Sequence, residues 1–372
     1  MFSNIRNNEI ELFLTGLPVP PLPLTPSIPC SYIPTFILCK SALEKRAIWD
    51  EMTYYIKNSF VPVDEDQNWE FKGHRNFSSD EIPAWRHDGT KACPIRNPKE
   101  FAKLTNGVNR TRQPISRNIN GFLNSGKHGT ILIGVLDTGK VEGIPMSSLQ
   151  KDHLLVNLED CLRRFRPSVP HDLVKVAFIP VVNNVSELLS FDAEQAKICE
   201  PTNDIRFQPH FLRTSSLCWC EVFSMKRQRQ FGLTPPLYVI EIRIAGLHPS
   251  QRTPEVSKAI AGLIPATASP LEQLSWPAFI NEDNGAFVRV FASVVKYTKE
   301  EITKFNNIQT QTFIKDSLKL MRAGDEKWEV EKEKLQLLLP DSKVDLVTFL
   351  EEAIRIQEKP VYSTNPILPR KL

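Results

Sequence analysis

The sequence predicts an α+β domain: a mixed sheet flanked by helices, broken by long insertions, with a proline-rich N-terminal arm and a helical C-terminal extension. Three observations carry this. TILIGVLD (130–137) is a near-continuous apolar, β-branched run bounded by glycines, the pattern of a buried strand. Amphipathic helical patterns flank it at 115–124 and 149–166. Several further strand patterns follow, so helices and strands do not alternate as in a purely parallel fold.

Residues 1–38 form the arm. Its most apolar stretch, FLTGLPVPPLPLTPSIPCSYIPTFILC, contains seven prolines, which rules out a membrane-spanning helix there and predicts an extended segment. A helix is expected over 39–60, with Ser41 as cap, Glu44 completing a capping box, and Ile48, Met52, Tyr55 and Ile56 on one face. The domain itself is expected over 61–303, opening on the acidic stretch VPVDEDQNWEFK (61–72). Residues 73–113 have no period and are rich in Asn, Gly, Pro and charge, which predicts a surface insertion.

ISRNINGFLN (115–124) places Ile115, Ile119, Phe122 and Leu123 on one side and ends at Gly126 and Gly129. After the buried strand, Gly139 and Gly143 mark a tight turn. The helix at 149–166 buries Leu154, Leu155, Leu158, Cys161, Leu162 and Phe165 and stops at Pro167. Strands are expected near 173–182, 217–224, 237–245 and 286–292. The extension, 304–372, contains charged helical EKWEVEKEKLQLLL and amphipathic SKVDLVTFLEEAIRIQ (342–357). The apolar face of the latter (Val344, Val347, Leu350, Ile354) either packs on its own domain or docks on a partner subunit.

The chain has 372 residues, 41% of them hydrophobic, enough to bury a substantial core. A net charge of +3 does not mark a general polyanion binder, but it permits local basic clusters. Seven cysteines, an odd number, without a secretory leader pattern predict reduced thiols in the cytoplasm or nucleus, with a cytoplasmic location expected. No apolar run reaches the roughly 18 residues that span a bilayer.

The stretch ILIGVLDTGKVEG (131–143) carries letters shared by two protease families. A subtilisin-like triad runs Asp, His, Ser, but here HGT (128–130) precedes Asp137 and no GTS occurs. An aspartic protease needs two carboxylates sharing a proton, and Lys140 beside a single DTG would hold the pair ionised. GxxxxGK[ST] is absent around Gly126 and Gly139, which excludes a P-loop there.

Taken with the acidic stretch upstream, the same residues resemble the Schlafen family. The family pattern is E-x4-E-F-K, a helix of type I-x-A-F-x-N, a glycine pair, a strand G-x-L-x-I-G-V and an acid just beyond. Glu65, Glu70, Phe71, Lys72, Ile119, Phe122, Asn124, Gly126, Gly129, Ile133, Gly134, Val135 and Asp137 match it, and AFVRVFASVVKYTKEEI (286–302) resembles the closing segment, an arginine strand leading into a short helix. The resemblance implies a Schlafen/AlbA-type lobe and an endoribonuclease whose catalytic and metal-binding carboxylates are Glu65, Glu70 and Asp137. Carboxylate oxygens suit Mg²⁺ or Mn²⁺. Such an ion activates water and offsets charge on a scissile phosphate, while Lys72 holds the phosphate. It also implies a structural zinc on one histidine and three cysteines. Here His171 is followed by Leu173 rather than a cysteine, and Trp219 splits Cys218 from Cys220. A C-x-C pair on one face of a strand can ligate metal, but the expectation is buried core cysteine, and no zinc is assigned.

Arg110, Arg112 and Arg117 precede the first helix, Arg163, Arg164 and Arg166 end the second, and Lys226, Arg227 and Arg229 follow Cys220. The first two clusters are the expected RNA contacts, reading backbone and shape rather than bases. A single lobe is similar to subunits of a nematode complex that cleaves the 5′ end of piRNA precursors, which implies paralogous Schlafen-like partners in a heteromer. Two alternatives stay open: a noncatalytic subunit whose partner carries the active carboxylates, and a nucleic-acid-binding regulator without nuclease activity.

Overall fold

The computed structural model describes residues 54–82, 112–188, 191, 208–265, 267–324, 327–338 and 345–355. The proline-rich arm, the expected helix cap at Ser41 and most of the insertion (83–111, including Arg110) lie outside them.

A six-stranded mixed sheet forms the frame. Its strands are β1 (Tyr55–Ile56), β2 (Trp69–Lys72), β3 (Gly129–Ile133), β4 (Ile144–Pro145), β5 (Val174–Val182) and β6 (Leu237–Ile244). The order is β1-β5-β6-β3-β2, with β4 also on β6. Pairing is parallel for β1/β5 and β2/β3 and antiparallel at β3/β6, β4/β6 and β5/β6. β2 is therefore an edge strand, with Glu70 opposite Ile131 and Lys72 opposite Ile133.

Helices α1 (Ile115–Ser125) and α2 (Ser148–Arg163) cover the sheet. Ile115, Ile119, Phe122 and Leu123 of α1 and Leu154, Leu158, Cys161 and Leu162 of α2 join Ile131, Ile133, Ile240 and Ile242 in one core. Each such side chain contributes about 1.5–3 kcal/mol on leaving water. Leu155, expected on the buried face of α2, is exposed. Gly126 ends α1 at φ +71, and Gly129 lies against the Phe122 ring, where an added Cβ would come within 2.2 Å. The glycine pair thus lets the chain turn and β3 approach α1 closely.

The chain continues through α3 (Trp219–Phe231), α4 (Pro254–Ala261) and α5 (Pro270–Leu274) to a hairpin, β7 (Ala286–Val290) and β8 (Ser293–Tyr297). Helices α6 (Lys299–Ala323), α7 (Lys327–Leu338) and α8 (Leu346–Arg355) follow. Leu271, Leu274, Ile314, Leu318, Leu335, Leu346, Phe349, Leu350 and Ala353 make a second core. α8 therefore packs on its own domain. Its buried face is Leu346, Phe349, Leu350 and Ala353, rotated from the face expected, with Val347 and Ile354 only half-buried. None of the described helices is long and apolar enough to cross a membrane.

Four sequence expectations are corrected. Residues 217–224, read as a strand from the alternation in LCWCEVF, open helix α3. Cys218 is its N-cap, Glu221 sits in the first turn, Arg229 in the last, and Gly232 closes it at φ +64. End signals matched to the helix dipole outweigh a short alternation. Tyr55 and Ile56, expected on a helix, form β1, and the Tyr55 hydroxyl donates to buried Glu241 at 2.7 Å. β3 stops at Ile133 because Gly134 turns the backbone at φ +101. The arginine strand leads first into a hairpin partner and then into a 25-residue helix rather than a short one.

Candidate functional site

Glu70 and Lys72 lie two apart on β2 and so share a face. Glu70 is buried and ion-paired with Lys72 and with Arg289 of β7. The Arg289 side chain is fully shielded from solvent. Its Nε and Nη2 donate to the Asp66 carbonyl at 2.8 and 2.5 Å, Nη2 donates to the Trp69 carbonyl at 2.6 Å, and the guanidinium lies 4.7 Å from the Phe122 ring centroid.

The α1 motif explains how Arg289 reaches β2. Asn120 and Asn124, four apart on the helix, are both fully buried. Asn124 Nδ2 donates to the carbonyls of Phe279 and Phe287, each at 2.9 Å, and its Oδ1 accepts the Phe279 N–H at 2.7 Å. Asn120 Oδ1 accepts the Phe287 N–H at 2.7 Å. α1 therefore holds the backbone of β7 two residues from Arg289. The sequence marked the arginine strand but gave Arg289 no role. A lone arginine in a strand otherwise apolar as far as Val290 was the available signal.

Asp137 sits in a tight loop. The Gly139 N–H donates to the Leu136 carbonyl at 2.7 Å, the Leu136 N–H to the Lys140 carbonyl at 2.9 Å, and Gly139 has φ +80. Asp137, Thr138 and Gly139 are the three-residue connection of a small hairpin with glycine in the left-handed position. The DTG letters are turn chemistry. This loop is stitched to the segment before Glu65: Val61 N–H donates to the Gly139 carbonyl at 2.9 Å and Asn58 N–H to the Val141 carbonyl at 2.8 Å. Asp137 is exposed.

Glu65 is half-buried, and its Oε1 accepts the Phe71 N–H at 2.7 Å. Burial raises the Glu65 carboxyl above the ordinary range. The Phe71 N–H and Lys72 oppose this, and the charges of Glu70 and Asp137 add to it. The fold thus gathers Glu65, Glu70, Asp137 and Lys72 in one region. His74 lies nearby, pushed down to about 3 by burial and by Arg112 and Lys72. Oxygen donors of this kind suit Mg²⁺ or Mn²⁺ in type. Glu70 is held by two cations and Glu65 by a backbone N–H, and the three donor sets do not lie within 4.8 Å of one another.

The basic clusters are largely engaged within the chain. Arg112 donates to Asn76 Oδ1 at 3.0 Å, and Arg117 bonds Gln113 and lies 5.3 Å from the Phe287 centroid. Arg163 pairs with Glu159 at 2.8 Å, Arg164 with Asp80 and Asp160 at 3.1 Å each, and Arg166 bonds Asn284. Arg163 and Arg166 are exposed and keep donors available for phosphate.

A different cluster does converge. Donor atoms of His153, His210, Cys218 and Cys220 all lie within 4.8 Å of one another, the only such group of His, Cys, Asp or Glu among the described residues. His153 comes from α2, on one side of the helix with buried Gln150 and Asn157. Gln150 Nε2 donates to Glu221 Oε2 at 2.7 Å, and Arg75 also pairs with Glu221, which ties α2 to α3. Cys218 Sγ accepts the Phe211 N–H at 3.2 Å and lies 3.6 Å from His210 Nδ1. His210 stacks on Trp219 with centroids 4.9 Å apart. Burial pushes His153 down to about 4, with the His210 and Arg75 charges adding, so its imidazole is neutral. Its Nδ1 is buried with no hydrogen-bond partner among the described residues. An unmet buried donor or acceptor costs about 1–3 kcal/mol. The sequence pointed to the C-x-C pair but missed both histidines, which are remote in sequence and follow no common zinc spacing.

A family model described as a Schlafen-like domain of nematodes matches residues 90–198. The match takes in α1, β3, the Asp137 loop and α2, under a third of the chain, and leaves Glu65, Glu70 and Arg289 outside it. It supports the Schlafen-like family.

Proposed function

We propose that this chain is a Schlafen-like subunit of a heteromeric RNA-cleaving assembly acting on small RNA precursors such as those whose 5′ ends become piRNAs. In it the chain shapes and holds the RNA groove and does not by itself hold the catalytic metal. The observation that carries this is the ion pairing of Glu70 with both Lys72 and buried Arg289. A carboxylate so held is occupied, and the two cations repel a divalent ion. The group is built as a structural lock between β2 and the β7–β8 hairpin. Exposed Arg163 and Arg166 supply phosphate contacts that need no base recognition.

A second reading has one specific support. The charges of Glu70 and Asp137 both act on Glu65, so the three carboxylates the family uses for Mg²⁺ or Mn²⁺ share a neighbourhood. In that reading this chain cuts.

The test is cleavage by the purified native complex carrying Glu70→Gln or Asp137→Asn in this chain, with subunit composition checked in parallel. Retained Mg²⁺-dependent cleavage with intact assembly supports the first reading. Loss of cleavage with intact assembly overturns it in favour of the second.

A further inference from the structure

The His/Cys cluster shares no residue with the carboxylate region. The resemblance that points to a structural zinc points to one histidine and three cysteines, and by its spacing to His171. Here His171 is 82% exposed and pairs with Asp172 at 3.0 Å. Leu173, where that pattern has a cysteine, is buried in the main core. That ligand set is not assembled among the described residues.

We propose that this chain binds one zinc ion through a different set: His153 of α2, His210 of the loop before α3, and Cys218 and Cys220 at the start of α3. Five observations support it. The four donors are mutually within 4.8 Å. A tetrahedral site with Zn–S of about 2.3 Å and Zn–N of about 2.0–2.1 Å has edges of about 3.3–3.8 Å, so shifts of about an ångström close it. Two thiolates and two imidazoles match zinc in softness and offset its double charge. The Phe211 N–H already donates to Cys218 Sγ, the outer bond that orients a ligating thiolate. The Trp219 ring fixes the His210 plane, and Trp219 Nε1 donates to the Pro209 carbonyl at 3.0 Å, which holds the loop on the helix. His153 Nδ1, buried and unpartnered, is the donor the protein alone leaves unsatisfied.

Four protein ligands and no open position make the site structural rather than catalytic. It fastens helix α2 to the 208–218 loop and helix α3, across the 56 residues of sequence between His153 and His210. Arg213 of the loop donates to Asp160 of α2 at 2.9 Å, and the ion would add a second, buried tie between the two segments.

The experiment is metal analysis of the full chain, or of its native complex, purified from zinc-supplied cells without chelator. About one zinc per chain is expected. His153→Ala and Cys220→Ser should each lower this at least fivefold, and His171→Ala should leave it unchanged. Should a variant fail to fold, the wild-type protein decides. Exchange with Co²⁺ should give thiolate charge-transfer and tetrahedral d–d absorption, and chelation should lower the melting temperature until zinc is restored. Absence of bound zinc together with absence of the Co²⁺ signature overturns the proposal. So does loss of zinc in His171→Ala, or a Cys218–Cys220 disulfide found by mass spectrometry of the freshly purified chain. Zinc content does not depend on RNA cleavage, so this outcome and that of the functional reading are independent.

Discussion

Replacing Arg289 by Met removes a guanidinium that has no solvent to fall back on. The side chain is fully shielded, and Glu70, its partner, is 8% exposed. The substitution leaves the Asp66 and Trp69 carbonyls without the donors that reach them at 2.5–2.8 Å, and leaves Glu70 with Lys72 alone. Removing one member of a buried pair costs about 3–5 kcal/mol. At roughly 2–4 °C per kcal/mol for a domain of this size, Arg289→Met should melt about 6–20 °C lower. Glu70→Leu alone strands the guanidinium and should cost a similar amount. The double variant removes both charges together, and a buried pair replaced by apolar groups of similar volume is often neutral. Its loss should therefore fall short of the summed single losses by at least about 2–3 kcal/mol. Denaturant unfolding followed by tryptophan fluorescence measures all three. Additivity within about 0.5 kcal/mol would show that the two side chains do not act as a unit and would refute the lock.

Three further outcomes follow from the packing and the titration of buried groups. Leu350→Ala, at a fully buried position of α8, should cost about 2–5 kcal/mol in the isolated chain, whereas a helix that only docked on a partner would lose almost nothing. Gly126→Ala combines a left-handed backbone with a Cβ 2.5 Å from the Trp276 ring and should lower the melting temperature by several degrees; an unchanged melting curve would contradict the turn geometry. His248 is pushed down to about 4 by burial, with the Arg252 charge adding, so the folded state binds fewer protons than the unfolded between about pH 4 and 6.5. Stability should fall as pH drops through that window, by at most about 1.4 kcal/mol per unit from this group, and His248→Gln should flatten the slope by that amount.

The fold was legible where one residue's neighbours in sequence are also its neighbours in space. The apolar run at 130–137 and the stripes of α1 and α2 announce themselves because period and burial coincide. Residues 217–224 did not, because a seven-residue alternation fits a strand and the start of a helix alike, and only the caps decide. The carboxylates could be named, since Glu65, Glu70 and Asp137 stand at motif positions, but not their state. What holds Glu70 is Arg289, more than two hundred residues away and delivered by a hairpin whose backbone hangs on Asn120 and Asn124. The same applies to His153 and His210. Each lies on a segment with its own local logic, and only the packing of α2 on α3 brings their rings to centroids 4.9 Å apart.

The charges around Glu70 set how strongly this chain on its own can hold a divalent ion. Glu65, Glu70 and Asp137 supply three negative charges when ionised, and Lys72 and Arg289 return two positive ones, so the region offers one net negative charge to a doubly charged ion. For Glu70 to ligate it, the carboxylate must leave the Arg289 guanidinium, which has no water to take its place. If that release costs the 3–5 kcal/mol of a broken buried pair, Mg²⁺ affinity is lower by roughly 10²–10⁴-fold than in the same carboxylates without the arginine. Arg289→Met, under conditions where it remains folded, should therefore bind Mn²⁺ at least tenfold tighter than the wild-type chain, read by paramagnetic line broadening or titration calorimetry. Equal affinity in the two would mean that Arg289 does not set the occupancy of Glu70, and the noncatalytic reading would lose its physical basis.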